Sequence, residues 1–429
     1  MDICIVADDL TGANDSGVQC TRYGYRPSVA VNARDTGAFV HKNALIIDTD
    51  SREMNPASAY RTVKDAVHPL AASPPKLMYK KIDSTMRGNI GRELDALYDA
   101  FSPDFILINP AYPENGRTVV NGELYVNGQA LAETGIATLP NQRVGSSTIT
   151  DLVQAHSSNQ AYHLTEEEIS SGGLLALLKR LKREGVVHLS FDGETEEQML
   201  RQSRSLAAAG YDVIWAGSAG VMKFLPEIYD LSGSISSAEK ADRLTGCESV
   251  LIVAGSRSDI TQKQKAHLGA QYPGWTVLPE IFLDPGWQSD ASIKNILREA
   301  SRHSHSVMLI STDTTPEAVE NVKAKAEAVD IPMVEATKKI AEGLGRLTRL
   351  VFDMNTFDAV VMTGGDVAKA VCLSLESTEF ELIQEFEPGI PLGRLRGYYN
   401  PIAITKAGAF GTEKTFVHAI ETLRGEILT

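Results

Sequence analysis

The sequence predicts an α/β protein of two domains, each with a largely parallel sheet flanked by helices and with the active site in the cleft between them. Three observations carry that expectation. Short, almost wholly apolar runs such as Ile3 to Ala7, Ala44 to Asp48 and Phe105 to Asn109 alternate with helical patterns, the mark of parallel strands covered on both faces. The chain has 429 residues, more than one ordinary core accommodates, and two domains of about 200 residues each are the natural division. Near the middle, Leu231 to Ala241 is rich in small polar residues and reads as a linker. The expected division is a domain over residues 1–230, a linker over 231–245 and a second domain over 246–429.

Taken in order, the first element is the strand Ile3 to Ala7, followed by a polar turn and a helix through Tyr23. Strands are expected at Ser28 to Asn32, Ala44 to Asp48, Leu77 to Ile82 and Phe105 to Asn109, with helices near Pro56 to Ala71 and Asn89 to Phe101. Proline, glycine and asparagine break the rhythm from Pro110 to Gly145, where Leu124 to Leu131 suggests a small hairpin. Alternation resumes with helix Ser171 to Glu184, strand Val186 to Phe191, helix Glu194 to Ala209 and strand Val213 to Ala216. Past the linker come strand Ser249 to Ala254, a helix from Asp259, and strands at Ser306 to Ser311, Ala359 to Thr363 and Pro401 to Lys406. Ala216-Gly217-Ser218 and Ala254-Gly255-Ser256 are similar strand ends, too short to establish a repeat.

Composition narrows the function classes. With 43% apolar and 22% charged residues the chain is globular rather than disordered. A net charge of −14 without any basic run argues against nucleic acid as the main partner. No apolar stretch approaches the ~20 residues of a membrane span. Met1 to Val6 lacks the basic region of a signal peptide. Cys4, Cys20, Cys247 and Cys372 are scattered without redox or zinc spacing, which fits reduced thiols in a cytoplasm.

Open parallel sheets bind ligands beyond the carboxyl ends of their strands, so those ends are where function is sought. In the first half they carry Asp8, Asp9, Asp48, Asp50, Ser51, Arg52, Lys80, Lys81, Asp83 and Ser84. Carboxylates, hydroxyls and cations together suit a polyhydroxylated acid. Lys80 to Asn89 stands out: two lysines, Asp83, two hydroxyls, Arg87 and Gly88 lie between a strand and a helix whose N-terminus attracts anions. Strand alternation sends Lys80 and Lys81 opposite ways, so one of them is expected to face a ligand. Taken alone, such a turn is as readily a capped helix with solvated charges.

In the second half the strand ends read Gly255-Ser256-Arg257, Ser311 to Thr315, Thr363-Gly364-Gly365-Asp366 and Ala407 to Gly411. Glycine and hydroxyls let backbone amides close on phosphate groups. At the third of these turns Asp366 is either a plain helix cap or a carboxylate that binds magnesium or removes a proton, both of which phosphoryl transfer requires. Other signatures are missing. There is no Walker-type loop and no Gly-x-Gly-x-x-Gly after a strand. Adjacent Asp8 and Asp9 do not have the spacing of the haloacid-dehalogenase phosphatases, and Gly217 to Gly220 falls short of a nucleophile elbow. His303 and His305 form no ligand set with a third group and are expected at a solvated helix end.

Beyond single turns, Ile5 to Asp15 resembles the opening signature of the four-carbon acid sugar kinases. Lys81 to Asn89 is similar to their second signature, and Pro110-Ala111-Tyr112-Pro113-Glu114-Asn115-Gly116-Arg117 to a third. Thr363 to Asp366, Pro388 to Pro391 and Thr405 to Gly411 extend the resemblance over essentially the whole chain. It implies a sugar-acid-binding N-terminal domain, a nucleotide-binding C-terminal domain, and ATP-dependent phosphorylation of a four-carbon sugar acid. Asp8-Asp9-Leu10 and Gly365-Asp366 are most similar to the D-threonate kinase branch, whereas the 3-oxo-tetronate branch typically has Phe and Glu at the positions of Leu10 and Asp366. Carried over by position, the resemblance puts substrate contacts at Asp8 or Asp9, Arg52, Lys81, Ile82, Asp83 and Ser84. It puts ATP contacts at Ser256, Gly364, Gly365, Asp366, Val367 and Gly408.

The resulting expectation is a kinase that uses ATP and Mg2+, with D-threonate as acceptor, and erythronate or a 3-oxo-tetronate as the alternatives. Lys81, Arg87 and Arg52 form the expected cationic group, and the glycine turns the phosphate cradle. Closure of the domains would exclude water. Asp366 and the Asp8/Asp9 pair are both candidates for the general base. A Schiff-base aldolase or isomerase using Lys80 or Lys81, and a non-enzymatic sensor of sugar acids, are the competing classes. Expected partners are the sugar acid and ATP, with no nucleic acid and no membrane, and a homo-oligomer is left open.

Overall fold

The computed structural model describes residues 1–138, 145–234, 246–302 and 307–426. Of the sequence expectations, the linker beyond position 234 and the solvated helix end at His303 and His305 lie outside the described residues. The chain divides into two compact units, residues 1–235 and 236–429.

The strands of the N-terminal unit are β1 (Ile3–Ala7), β2 (Ser28–Ala30), β3 (Ala44–Asp48), β4 (Leu77–Lys81), β5 (Phe105–Asn109), β6 (Arg117–Val120), β7 (Glu123–Val126), β8 (Gln129–Ala130), β9 (Gln160–Leu164), β10 (Val186–Phe191) and β11 (Val213–Gly217). Its main sheet runs β2-β3-β1-β4-β11-β5-β10-β9, parallel throughout. Every residue of β1, β3, β4 and β5 is buried, as sheets covered on both faces require. Helices such as Leu10–Gln19, Pro56–Val67 and Ile90–Phe101 supply the crossovers. Where a small hairpin was expected, β6, β7 and β8 make a three-stranded antiparallel sheet. The helix expected from Ser171 to Glu184 is present as Leu174–Arg183, and a short helix not expected from the sequence, Glu166–Ser170, precedes it; that one is capped by Thr165, which forms a capping box with Glu168.

The C-terminal unit contains β12 (Val250–Ala254), β13 (Gly274–Val277), β14 (Val307–Thr312), β15 (Ala359–Thr363), β16 (Ser377–Glu387), β17 (Ile390–Gly397) and β18 (Ile402–Lys406). Its strands run β13-β14-β12-β15-β18-β17-β16; the first five are parallel and the last two form an antiparallel hairpin. Val250, Ile252, Ile404, Phe416 and Ile420 are fully buried in its core.

The two sheets share a wiring. In each, the first strand is central, the third lies beside it, the second beyond the third, and the fourth returns to the other side of the first. The connection from third to fourth strand crosses over the first, and such a switch point opens a crevice at the carboxyl ends. Cys4, Cys20, Cys247 and Cys372 are reduced and buried in the interior. Burial pushes Cys4 and Cys20 up to about 12. No described helix is long and apolar enough to cross a membrane.

Candidate functional site

At the switch point of the N-terminal unit, register fixes the height of the site. Ala7 pairs with Asp48 on one side and Lys81 on the other, so the chain leaves β1, β3 and β4 at one level. Asp8 and Asp9 follow β1. Asp9 caps the helix Leu10–Gln19, its Oδ1 accepting the Gly12 amide at 2.8 Å. Arg52, in the turn after β3, donates from Nε and Nη2 to the two oxygens of Asp8, each at 2.8 Å, and from Nη1 to Asp9 Oδ2 at 2.7 Å. After β4, Arg87 makes the same kind of fork with Asp83, at 2.7 and 2.9 Å. Burial opposes the charge on Asp8, but the Arg52 guanidinium, aided by Lys80 and Lys81, outweighs it and holds the carboxyl below its usual value. Asp83 is likewise held well below the carboxylate range by Arg87 and Arg52 against its burial.

These contacts correct the sequence reading of the cations. Arg52 and Arg87 are already neutralised by carboxylates of the same unit. Lys80 is fully buried and paired with Glu93 at 2.8 Å, and Glu93 also accepts from Ser51 Oγ at 2.7 Å. A lysine shut into that network is no Schiff-base nucleophile. Lys81 differs. Its side chain is 5% exposed and its Nζ donates to the Ile82 carbonyl at 2.8 Å; no ion pair among the described residues includes it. A Cβ placed on Gly12 would lie 2.9 Å from that ammonium, which therefore sits against the N-terminus of the helix Leu10–Gln19. Ile82 has a wholly buried side chain and offers a ligand only its backbone, while Ser84 is half-buried beside it. Met86 (φ 59°) and Gly88 (φ 98°) give the signature turn its left-handed corners. A Cβ on Gly88 would approach Asp8 Oδ2 to 3.2 Å, so the turn folds directly over the aspartate.

In the C-terminal unit Ala254 pairs with Ser311 and with Thr363, and Thr363 with Lys406, so four strand ends again share a level. Gly364 caps the helix Gly365–Ser374 with φ 101° and ψ 127° and no side-chain hydrogen bond. That overturns the plain aspartate cap: Asp366 lies exposed in the first turn. The conformational demand for glycine falls on Gly364, while Gly365 takes the first helical position. Val367 is 6% exposed and packs on Gly255, where an added Cβ would come within 2.4 Å of its Cγ2; its side chain joins two turns. Gly408 abuts Ser256 so closely that an added Cβ would lie 1.9 Å from Ser256 Oγ. The Gly408 carbonyl accepts from Ser258 Oγ at 2.5 Å and Thr261 Oγ1 at 2.8 Å. The structure thus brings Ser256, Gly364 and Gly408 into one group of turns.

One residue entered the sequence reading only as a strand end and as part of the matching stretch Thr405 to Gly411, with no role given to it. Lys406 is 1% exposed, and its ammonium donates to Thr363 Oγ1 at 3.0 Å and the Gly408 carbonyl at 3.2 Å, with Thr261 Oγ1 at 3.5 Å. Burial pushes it down to about 8, against the attraction of Glu387. A lysine closing a strand buried along its whole length was the available signal.

A family model described as a sugar-binding N-terminal domain matches residues 3–225, more than half of the chain, and one described as a nucleotide-binding C-terminal domain matches residues 251–416. The chain is 29% identical to D-threonate kinase of Salmonella typhimurium, with 98% of each chain covered. It is 29% identical to D-erythronate kinase of Heliobacterium modesticaldum, covering 99% of this chain and 98% of the relative. With 3-oxo-tetronate kinase of Pseudomonas fluorescens the identity is 28%, over 98% and 96%. A crystal structure from Salmonella typhimurium LT2 has the same fold, with a TM-score of 0.81 at 24% identity and 98% and 99% covered. One from Haemophilus influenzae matches with a TM-score of 0.72 at 21% identity, over 97% and 98%. On these matches the chain belongs to the four-carbon acid sugar kinase family and is a phosphotransferase with an alcohol group as acceptor.

Proposed function

We propose that the protein is the kinase of D-threonate, transferring the terminal phosphoryl group of ATP to the 4-hydroxyl. The observation that carries the reading is Lys81, a lysine without a carboxylate partner among the described residues, beside two aspartates that already share the guanidinium of Arg52. The sugar acid's carboxylate takes the Lys81 ammonium and the helix N-terminus next to it, and its hydroxyls donate to Asp8 and Asp9. Asp83, Ser84, Arg87 and the Ile82 backbone complete the acceptor side. Leu10 and Asp366 favour D-threonate over a 3-oxo-tetronate.

On the donor side, Ser256, Gly364, Gly365, the Val367 amide and Gly408 cradle the phosphates of ATP, and Asp366 is the general base. Mg2+ accompanies the nucleotide, as phosphoryl transfer requires charge neutralisation. Among the described residues no group of three or more His, Cys, Asp and Glu is assembled to hold a metal ion. Phosphate and water oxygens would then be most of its ligands.

The test is an ATP-consumption assay across D-threonate, L-threonate, D-erythronate and 3-oxo-tetronate, with the product position read by phosphorus NMR. Turnover of D-threonate with the highest kcat/KM, giving the 4-phosphate, is the expected result. Preference for erythronate or the oxo-acid moves the assignment to that acid, and no turnover of any of them overturns it.

A further inference from the structure

Lys406 has no role in the reading above, although it ends β18 at the level of the nucleotide turns. All of its hydrogen-bond partners are neutral: two threonine hydroxyls and a carbonyl. No ion pair among the described residues includes it, and it is 1% exposed. An ammonium withdrawn from water without a counter-ion is costly, and folds retain one where something else supplies the negative charge. Its partners identify that something. Thr363 precedes the Gly364 cap, Gly408 is the glycine packed against Ser256, and Thr261 lies in the first turn of the helix Asp259–Gly269, capped by Ser258. The lysine thus lies under three of the turns that line the phosphate cradle.

We propose that Lys406 is the internal cation of the nucleotide site, a positioning residue that supplies the counter-charge for the polyphosphate from beneath the turns while tying Thr363, Thr261 and Gly408 together. The inference rests on the assignment of those turns to ATP and adds the source of their positive charge. It has a consequence in protons. The free ammonium is pushed down to about 8, so near that pH it is only partly charged. Bound phosphate favours the charged form and raises the bound-state value above the free one. Nucleotide affinity is therefore full below pH 8 and falls as pH rises through it, and binding takes up a proton. Other charges nearby do not reproduce this. Glu387 attracts the ammonium but is itself engaged by Thr415 Oγ1 and His418, each at 2.8 Å. Lys265, on the helix of Thr261, donates to the Thr312 carbonyl at 3.2 Å, and its own value is also lowered by burial, which makes it the necessary control. Asp366 lies exposed at the start of the next helix and carries the opposite charge.

The experiment is calorimetry of MgATP binding to the full chain at pH 8 in buffers of different ionisation enthalpy, which reads proton uptake directly. The unmodified protein is expected to take up about half a proton and to lose affinity between pH 7.5 and 9.5. Lys406→Met should abolish the uptake, flatten the pH dependence and weaken binding roughly 10–100-fold at pH 7, while Lys265→Met leaves the uptake in place. The measurement on the unmodified protein stands even where Lys406→Met fails to fold. ATP binding without proton uptake overturns the role of Lys406 alone, as does uptake that follows Lys265. Absence of ATP binding to the unmodified chain overturns the nucleotide assignment beneath it.

Discussion

All four carboxylate oxygens of Asp8 and Asp9 accept a hydrogen bond, three from Arg52 and one from the Gly12 amide. Asp8 is 2% exposed, so Arg52→Ala leaves a buried anion with a much weaker cationic surround. Breaking a buried pair from one side costs about 3–5 kcal/mol, and partial exposure of Asp9 puts the expected loss at the lower end. The variant should melt several degrees lower as well as bind the sugar acid poorly. A variant that binds poorly at an unchanged melting temperature would make Arg52 a substrate ligand only. The sign of the pH dependence follows from the same contacts. Asp8 and Asp83 sit below their unfolded values, so their stabilisation is complete above about pH 5 and is lost as pH falls through the folded values. Acid unfolding of the Arg52→Ala protein should accordingly be shallower than that of the parent. For the base, Asp366→Asn is expected to lower kcat roughly 10²–10⁴-fold with both KM values little changed. A rise in the KM for ATP with kcat intact would pass the role to the Asp8/Asp9 pair.

Turns, rather than strands or helices, carry the chemistry at the scale of elements. Gly408→Ala should prise the Ser256 turn away, because a methyl group cannot occupy a point 1.9 Å from a hydroxyl oxygen. Loss of ATP binding with sugar-acid binding intact is the expected calorimetric outcome; undiminished ATP affinity would place the cradle elsewhere. The central parallel strands were readable from sequence because each is a short apolar run that closes on a polar turn; the edge strand β13, with one buried residue, was not. The hairpin β16–β17 was not: β16 alternates only in part and is rich in glutamate, so propensity and pattern disagree along it. The strand β9 is a short edge element with a single buried residue, which leaves little period to detect. The candidate site was legible as far as residue types at strand ends allow. What sequence could not supply was pairing: which cations are consumed by aspartates after β1 and β4, and which lysine of the Lys80-Lys81 pair is spent on Glu93. Arg52 meets Asp8 across 44 positions of chain, and the local pairs Arg87–Asp83 and Lys80–Glu93 depend on how the turn after β4 folds, which residue types alone do not fix.

At the scale of the molecule, two compact units carry two different ligand chemistries. Units of this kind are expected to unfold in separable steps. In scanning calorimetry the sugar acid should raise the transition that Arg52→Ala lowers, and MgATP the one that Gly408→Ala lowers. Each ligand adds about 2.7 kcal/mol at a hundred times its dissociation constant. One transition shifted equally by both ligands would show that the units melt as a single cooperative body.

The burial of all four thiols leaves the protein's surface chemically silent toward maleimides, since a thiol shut inside a core is out of the reagent's reach. One cysteine introduced on an exposed helix of each unit would therefore carry a dye without any need to delete the native four. Fluorescence energy transfer between such a pair reports a distance in solution molecule by molecule. Recorded with ATP, with the sugar acid and with both, it would show whether catalysis waits on a movement of one unit against the other, and on what timescale.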